Sequence, residues 1–210
     1  MALSESSEEI TSSIVRDVAA QGYAVVEHFL NPEIILALAS HALHLKKHSV
    51  MHKATTGLNS TASSLRGDFI DWIEEAEASD IEQIYLDHMT QLQTALNQAF
   101  FLGLFELESH FAIYPPGTSY QKHLDQFIDK TERKISCILY LNQDWLVEEG
   151  GALRMYLDKS RDQPTIDILP QAGTLVVFLS SDFLHEVLPA KRERISITGW
   201  FKTRSIKNAS

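Results

Sequence analysis

The sequence predicts an α+β fold that carries its chemistry on the β half. Two observations support this. Up to about residue 104 the apolar residues recur mainly at helical spacing. From about Glu106 onward, short runs rich in β-branched and aromatic residues follow one another, separated by turns containing Pro, Gly or Asp. Eight such runs in succession are the pattern of an antiparallel barrel or a double-sheet jelly roll, with the helices covering one outer face. At 210 residues, 44% hydrophobic and 22% charged, the chain suits one domain (1–210) with a sizeable core.

In the first half, residues 5 to about 20 place Ile10, Ile14, Val15 and Val18 on one helical face, and "GYAVVEHF" then reads as a strand. A second helix opens at "NPEIILALASHALHLKKH". Here Asn31 is the N-cap, Pro32 takes the first helical position and Glu33 falls in the first turn. A third begins at "SDIEQ", where Ser79 and Glu82 have capping-box spacing, and its apolar positions are Ile84, Leu92, Leu96 and Phe100. The strand runs are "ESHFAIYP", "TSYQKHLD", "KISCILYLN", "ALRMYL", "TIDILP", "GTLVVFL", "LHEVLP" and "RISITGWF".

Composition excludes several classes. The formal charge is −10, from 18 basic and 28 acidic residues, so a phosphate backbone is repelled and nucleic acid is not expected as a partner. No apolar run is long enough to cross a bilayer, so no membrane is expected either. The start "MALSESSEEI" is acidic and lacks a secretory layout. With Cys137 as the single cysteine, neither a disulfide framework nor a Cys-rich zinc site can form. A reducing cytoplasm is the expected compartment.

The stretch "SYQKHLDQF" follows a Pro-Pro-Gly turn and holds His123 and Asp125 two apart. On a strand, side chains at i and i+2 face the same way, so both could meet one metal ion. Nine histidines compete for the third ligand. His41, His44 and His48 share a helical face with His52 just beyond, but that stretch lacks the acid of an H-E-x-x-H site and is flanked by Lys46 and Lys47. His28, His88 and His110 stand isolated and read as structural. His185 differs, because Arg194 follows nine residues later and opens "RISITGW".

On a strand, Arg194, Ser196, Thr198 and Trp200 would share one face, with Ile195, Ile197 and Phe201 on the other. The apolar face can pack on the helices, while the polar face suits the wall of a ligand pocket. A buried guanidinium needs an anion, and its fork of donors matches a carboxylate. Two histidines and one aspartate with open positions form the facial triad of non-haem Fe(II) oxygenases. A dicarboxylate keto acid gripped by Arg194 would complete the arrangement. The alternative is a chance H-x-D and a surface ion pair.

The motifs "LRGDFIDWI" (65–73), "YPPGTSYQKHLD" (114–125), "ILYLNQDW" (138–145), "GGALRMY", "LHEVLPA" (184–190) and "RISITGWF" (194–201) together resemble the 2-oxoglutarate and Fe(II)-dependent dioxygenases. The likeness is to the prolyl 4-hydroxylase branch, namely the hypoxia-inducible-factor prolyl hydroxylases and the bacterial counterparts that act on elongation factor Tu. It implies a double-stranded β-helix (jelly-roll) core over about 105–202, with helical support over about 1–104. By position, His123, Asp125 and His185 resemble the iron ligands, and there is no catalytic side chain beyond the metal centre. Arg194 and Tyr140 resemble the residues that bind the far carboxylate of 2-oxoglutarate. Tyr114, Thr198 and Trp200 resemble further pocket wall. Arg66 and Asp68 fall in what is, in the family, a mobile loop that closes over the peptide. The implied cofactors are Fe(II), 2-oxoglutarate and O2, with ascorbate as an auxiliary reductant. The implied reaction couples decarboxylation of 2-oxoglutarate to succinate with C4 hydroxylation of a proline in a protein.

Two other readings compete. The same site could hydroxylate a small molecule or free amino acid, or the chain could be a non-catalytic jelly-roll sensor or binding module. Asp125 argues against halogenation, which needs that ligand position open. For the remaining motifs the plain readings are structural. Cys137 is a small core residue, Asp144 and Trp145 end a strand, Gly150 and Gly151 make a turn, and "KRER" (191–194) is a solvated turn leading into Arg194.

Overall fold

The computed structural model describes residues 7–54, 66–126, 131–158 and 164–204. Leu65 of the "LRGDFIDWI" motif, Phe127 of the "SYQKHLDQF" stretch and the first six residues of the acidic start lie outside them.

Helix α1 spans Ser7–Gln21 and buries Ile10, Ile14 and Val18, as its spacing predicts. It stops at Gly22, whose φ of 82° suits only a residue without Cβ. Gly22 N–H closes the last turn by donating to the Val18 carbonyl at 2.9 Å. Helix α2, Pro32–Lys47, starts where Asn31 Oδ1 accepts from Glu33 N–H at 2.9 Å. Helix α3 spans Asp80–Phe100, and Glu82 accepts from both the backbone N–H and the hydroxyl of Ser79. Its buried stripe is Tyr85, Leu86, Met89, Leu92 and Leu96. Ile84 was expected on that stripe but is 38% exposed, because the face centred on Met89 and Leu96 points Ile84 sideways.

Eleven strands are formed among the described residues, and each of the eight expected runs is one of them. In order they are β1 Tyr23–Val26, β2 His52–Lys53, β3 Phe69–Trp72, β4 Leu104–Tyr114, β5 Tyr120–His123 and β6 Arg133–Tyr140. Then follow β7 Leu153–Tyr156, β8 Thr165–Ile168, β9 Leu175–Leu179, β10 His185–Val187 and β11 Arg194–Thr203. They make a seven-stranded sheet, β1-β9-β6-β11-β4-β3-β2, and a four-stranded sheet, β5-β10-β7-β8. All named pairings are antiparallel, the pattern of a jelly roll. The sheet is not confined to residues 105–202, since β1 extends one edge while β2 and β3 extend the other. Residues 69–72, which directly follow the Arg66 and Asp68 positions expected in a loop, pair with β4.

The large sheet separates two cores. On one face Phe111, Ile113, Ile135, Leu139, Val177, Ile195, Ile197 and Phe201 pack against the helices. On the other, Ile138, Tyr140, Val176 and Phe178 meet Leu153, Met155 and Val187 of the small sheet. Burying a Leu, Ile or Phe contributes roughly 1.5–3 kcal/mol, against about 1 kcal/mol for a helix cap. Apolar contact therefore docks the helices, while the caps set where they begin. The apolar face of β11 is spent on this layer, which leaves its other face to the space between the sheets.

Candidate active site

At the open end of the two sheets is a cavity of about 400 Å³, and His123, Asp125, His185, Arg194, Tyr114, Thr198, Trp200 and Arg66 all line it. Strand β5 delivers His123 and β10 delivers His185, directly opposite one another in the pairing. Asp125 lies just past the end of β5. The Nε2 atoms of His123 and His185 stand 3.6 and 3.7 Å from Asp125 Oδ1. Ligand atoms of all three lie within 4.8 Å of one another, the one such three-residue group among the described residues.

Neighbouring groups aim these ligands. His123 Nδ1 lies 2.7 Å from the Gln121 carbonyl and His185 Nδ1 lies 3.0 Å from that of Phe183. A carbonyl accepts only, so each Nδ1 carries the proton and each Nε2 offers a lone pair. The other oxygen of Asp125, Oδ2, accepts from Ser136 Oγ at 2.7 Å, and Ser136 Oγ is itself 2.8 Å from Ser180 Oγ. Burial alone would raise the Asp125 carboxyl, but the His185 and His123 imidazoles and the Ser136 hydroxyl hold it well below the usual carboxylate range. Burial outweighs the Asp125 charge and lowers the His185 imidazole below its ordinary value. Two imidazoles and one carboxylate match a facial divalent-iron site.

At the deep end Arg194 is 1% exposed. Its Nε donates to the Gly151 carbonyl at 2.9 Å, and the guanidinium lies 4.9 and 5.2 Å from the ring centres of Tyr140 and Tyr114. Arg194 Nη2, the Tyr140 hydroxyl and the Ser196 hydroxyl are buried without a hydrogen-bond partner. No carboxylate pairs with Arg194 among the described residues. Buried donors left open in this way call for an anionic ligand. A carboxylate accepting from Arg194 and Tyr140 meets that need, so the residues fit 2-oxoglutarate as they fit iron.

Arg66 and Asp68 form a two-bond ion pair, with Arg66 Nε donating to Asp68 Oδ1 at 2.7 Å. Asp68 is fully buried, while Arg66 reaches the cavity 4.8 Å from the Tyr120 ring centre. The isolated-histidine reading of His110 needs correction, because this side chain lines the cavity between Trp72 and Trp200. Tyr120, Trp72 and Arg133 also line it and were not singled out from the sequence. His110 was nonetheless discoverable, since it shares a strand face with Tyr114 four residues on. His41, His44 and His48 do not converge: His41 pairs with Glu82, whereas the His44 and His48 rings touch at a tilt on the exposed surface. "KRER" is more than a solvated turn, for Arg192 forms an ion pair with Glu149 and lies over Trp145, and Glu193 pairs with Lys46.

A jelly roll holding two histidines and a carboxylate around one point, with an unpaired guanidinium at the cavity's inner end, defines the class of non-haem iron oxygenases that use a keto acid. Residues 109–202 match the 2OG-Fe(II) oxygenase superfamily. The crystal structure of a Pseudomonas putida prolyl-4-hydroxylase superposes with a TM-score of 0.85 at 42% identity, covering 93% of this chain and all of that one. A Trichoplax adhaerens prolyl hydroxylase, solved with a hypoxia-inducible-factor peptide, gives a TM-score of 0.83 at 25% identity, covering 93% of this chain and 90% of that one. A hypoxia-inducible factor prolyl hydroxylase of Caenorhabditis elegans is 29% identical over 93% of this chain and 28% of its own length. The chain spans less than two thirds of the curated relatives it first matches. It belongs to the 2OG-Fe(II) oxygenase superfamily, within the prolyl hydroxylase branch. No helix among the described residues is long and apolar enough to cross a membrane.

Proposed function

We propose that this chain is a single Fe(II)- and 2-oxoglutarate-dependent prolyl 4-hydroxylase domain that acts on a proline within a protein, in the cytoplasm. The observation that carries this reading is Arg194, a buried cation without a carboxylate partner among the described residues, facing the same cavity as the His123–Asp125–His185 group. The likeness to a prolyl-4-hydroxylase at 42% identity supports proline as the target.

His123, Asp125 and His185 would hold the iron on one side and leave the cavity side open. Held there together with 2-oxoglutarate and O2, iron would supply the oxidising chemistry for a hydroxylation that releases succinate and CO2. Arg194 and the Tyr140 hydroxyl fix the far carboxylate of the keto acid. Tyr114, Thr198 and Trp200 wall the space above it and keep bulk water out. Arg66, fixed by Asp68, flanks the mouth where a peptide would enter. Ser136 holds Asp125 in place, so the carboxylate does not swing when the site fills.

The test is incubation with Fe(II), 2-oxoglutarate, O2 and a cell extract, followed by mass spectrometry. The expected result is succinate formation together with one added oxygen on a proline of one protein, with elongation factor Tu as the first candidate. Oxidation of small molecules alone would overturn the protein-substrate reading.

A further inference from the structure

A line of touching aromatic rings, tilted against one another, crosses one wall of the cavity. The Trp72 and His110 rings lie 4.7 Å apart, the His110 and Trp200 rings 5.4 Å apart, and the Arg133 guanidinium sits 3.6 Å from the Trp200 ring centre. All four line the cavity, yet they come from four strands: β3, β4, β11 and β6. His110 is 2% exposed, and its Nδ1 is buried without a partner. Burial, and next the nearby Arg66 cation, lower its pKa to about 3, so the imidazole is uncharged at any ordinary pH.

Charge is partitioned along this cavity. Arg66 is neutralised by Asp68. Arg133 bonds Glu108 at 2.9 Å, and Lys202 lies 3.3 Å from the other oxygen of that carboxylate. Arg194 has no such partner among the described residues. The inner end therefore takes an anion, while the Trp72, His110 and Trp200 rings carry no charge and the Arg133 cation beside them is already paired with Glu108. A free carboxylate or ammonium placed against that wall would lose water without gaining a counter-charge. An uncharged amide would keep a hydrogen bond and stack its plane on the rings. Packing between two tryptophans does not require an imidazole, since an apolar side chain would fill the gap without an open polar atom.

We propose that His110 is a specificity-determining residue, hydrogen-bonding an uncharged peptide group of the substrate so that the cavity favours a target inside a chain over a free amino acid. The inference rests on the protein-substrate reading above and adds the residue that enforces it.

The test compares the intact chain with His110→Phe, which keeps an aromatic stack, and His110→Gln, which keeps a neutral hydrogen-bonding group. The substrates are a capped peptide spanning the proline modified in the preceding experiment, and free L-proline. His110→Phe should raise the peptide KM at least tenfold, with a smaller change in kcat and none in the KM for 2-oxoglutarate. His110→Gln should recover most of the loss. Tryptophan fluorescence from Trp72 and Trp200, titrated with the peptide under nitrogen, should give the same order of affinities. Equal impairment of both variants, or an unchanged KM in His110→Phe, would overturn the inference and leave the protein-substrate reading standing. If the intact chain modifies no peptide, both fall together.

Discussion

Arg194 Nε donates to the Gly151 carbonyl at 2.9 Å, while Nη2 is buried without a hydrogen-bond partner among the described residues. Gly151 adopts a φ of 72°, and a Cβ there would come within 2.8 Å of the Ala190 Cβ and 3.5 Å of Arg194 Cδ. The turn thus sets the pose of the arginine. Gly151→Ala is expected to lower stability by about 1–3 kcal/mol and to raise the KM for 2-oxoglutarate. Urea denaturation and steady-state kinetics check the two effects separately.

Arg194→Lys retains the charge but loses the two-pronged grip. A charge-assisted pair of this kind contributes about 2–5 kcal/mol, so the dissociation constant for 2-oxoglutarate should rise at least thirtyfold. Isothermal titration under nitrogen measures it. An affinity unchanged within a factor of two would show that the anion binds elsewhere.

Chelation should abolish succinate production and added Fe(II) should restore it. Removing any one of the His123, Asp125 or His185 side chains should prevent that rescue. Ser136→Ala leaves the ligands in place but frees Asp125, and loss of such an outer partner weakens metal binding about 10–100-fold. Competition with a chromophoric chelator reads this directly. Metal affinity equal to that of the parent chain would mean that Ser136 has no positioning role.

His110 makes stability depend on pH. Its folded pKa of about 3 lies below the ordinary value of 6.5, so only the unfolded chain takes up a proton between these limits. Stability is unaffected by this group above pH 6.5 and falls as the pH drops towards 3. At pH 5 the loss amounts to about 2 kcal/mol. Arg66, Asp68, Arg133 and Glu108 are the charged groups that bear on it. His110→Gln should remove this part of the slope when urea midpoints at pH 7.5 and 5.0 are compared.

Acid should also release the ion pairs around the site. Attraction by Arg133 and Lys202 outweighs burial and lowers the Glu108 carboxyl, as the imidazoles and Ser136 do for Asp125. Both groups stabilise the fold above the ordinary carboxylate range, and that contribution disappears as the pH falls through their depressed values. Glu108→Gln should flatten the acid limb of the stability curve. If the two limbs coincide, Glu108 is not held by Arg133 in solution.

Much of this protein could be read from local pattern. The alternation along Arg194–Phe201, the i, i+2 spacing of His123 and Asp125, and the caps at Asn31 and Ser79 depend on neighbours in sequence. The alternation and the caps came out as the pattern required, and His123 and Asp125 converge although β5 ends at His123 and only the histidine is on the strand. The surroundings of His110 were only half legible, because alternation along β4 puts it on the face of Tyr114 but does not show what stands on the neighbouring strands. Its position follows from β4 pairing with β11 on one side and β3 on the other, which sets Trp72 directly across from it. The same pairing made a strand of residues 69–72 and turned Asp68 inward. Periodicity tells which way a side chain points from its own strand. Which side chains meet depends on the register between strands far apart in the chain, and that register is settled only when the sheets and helices pack together.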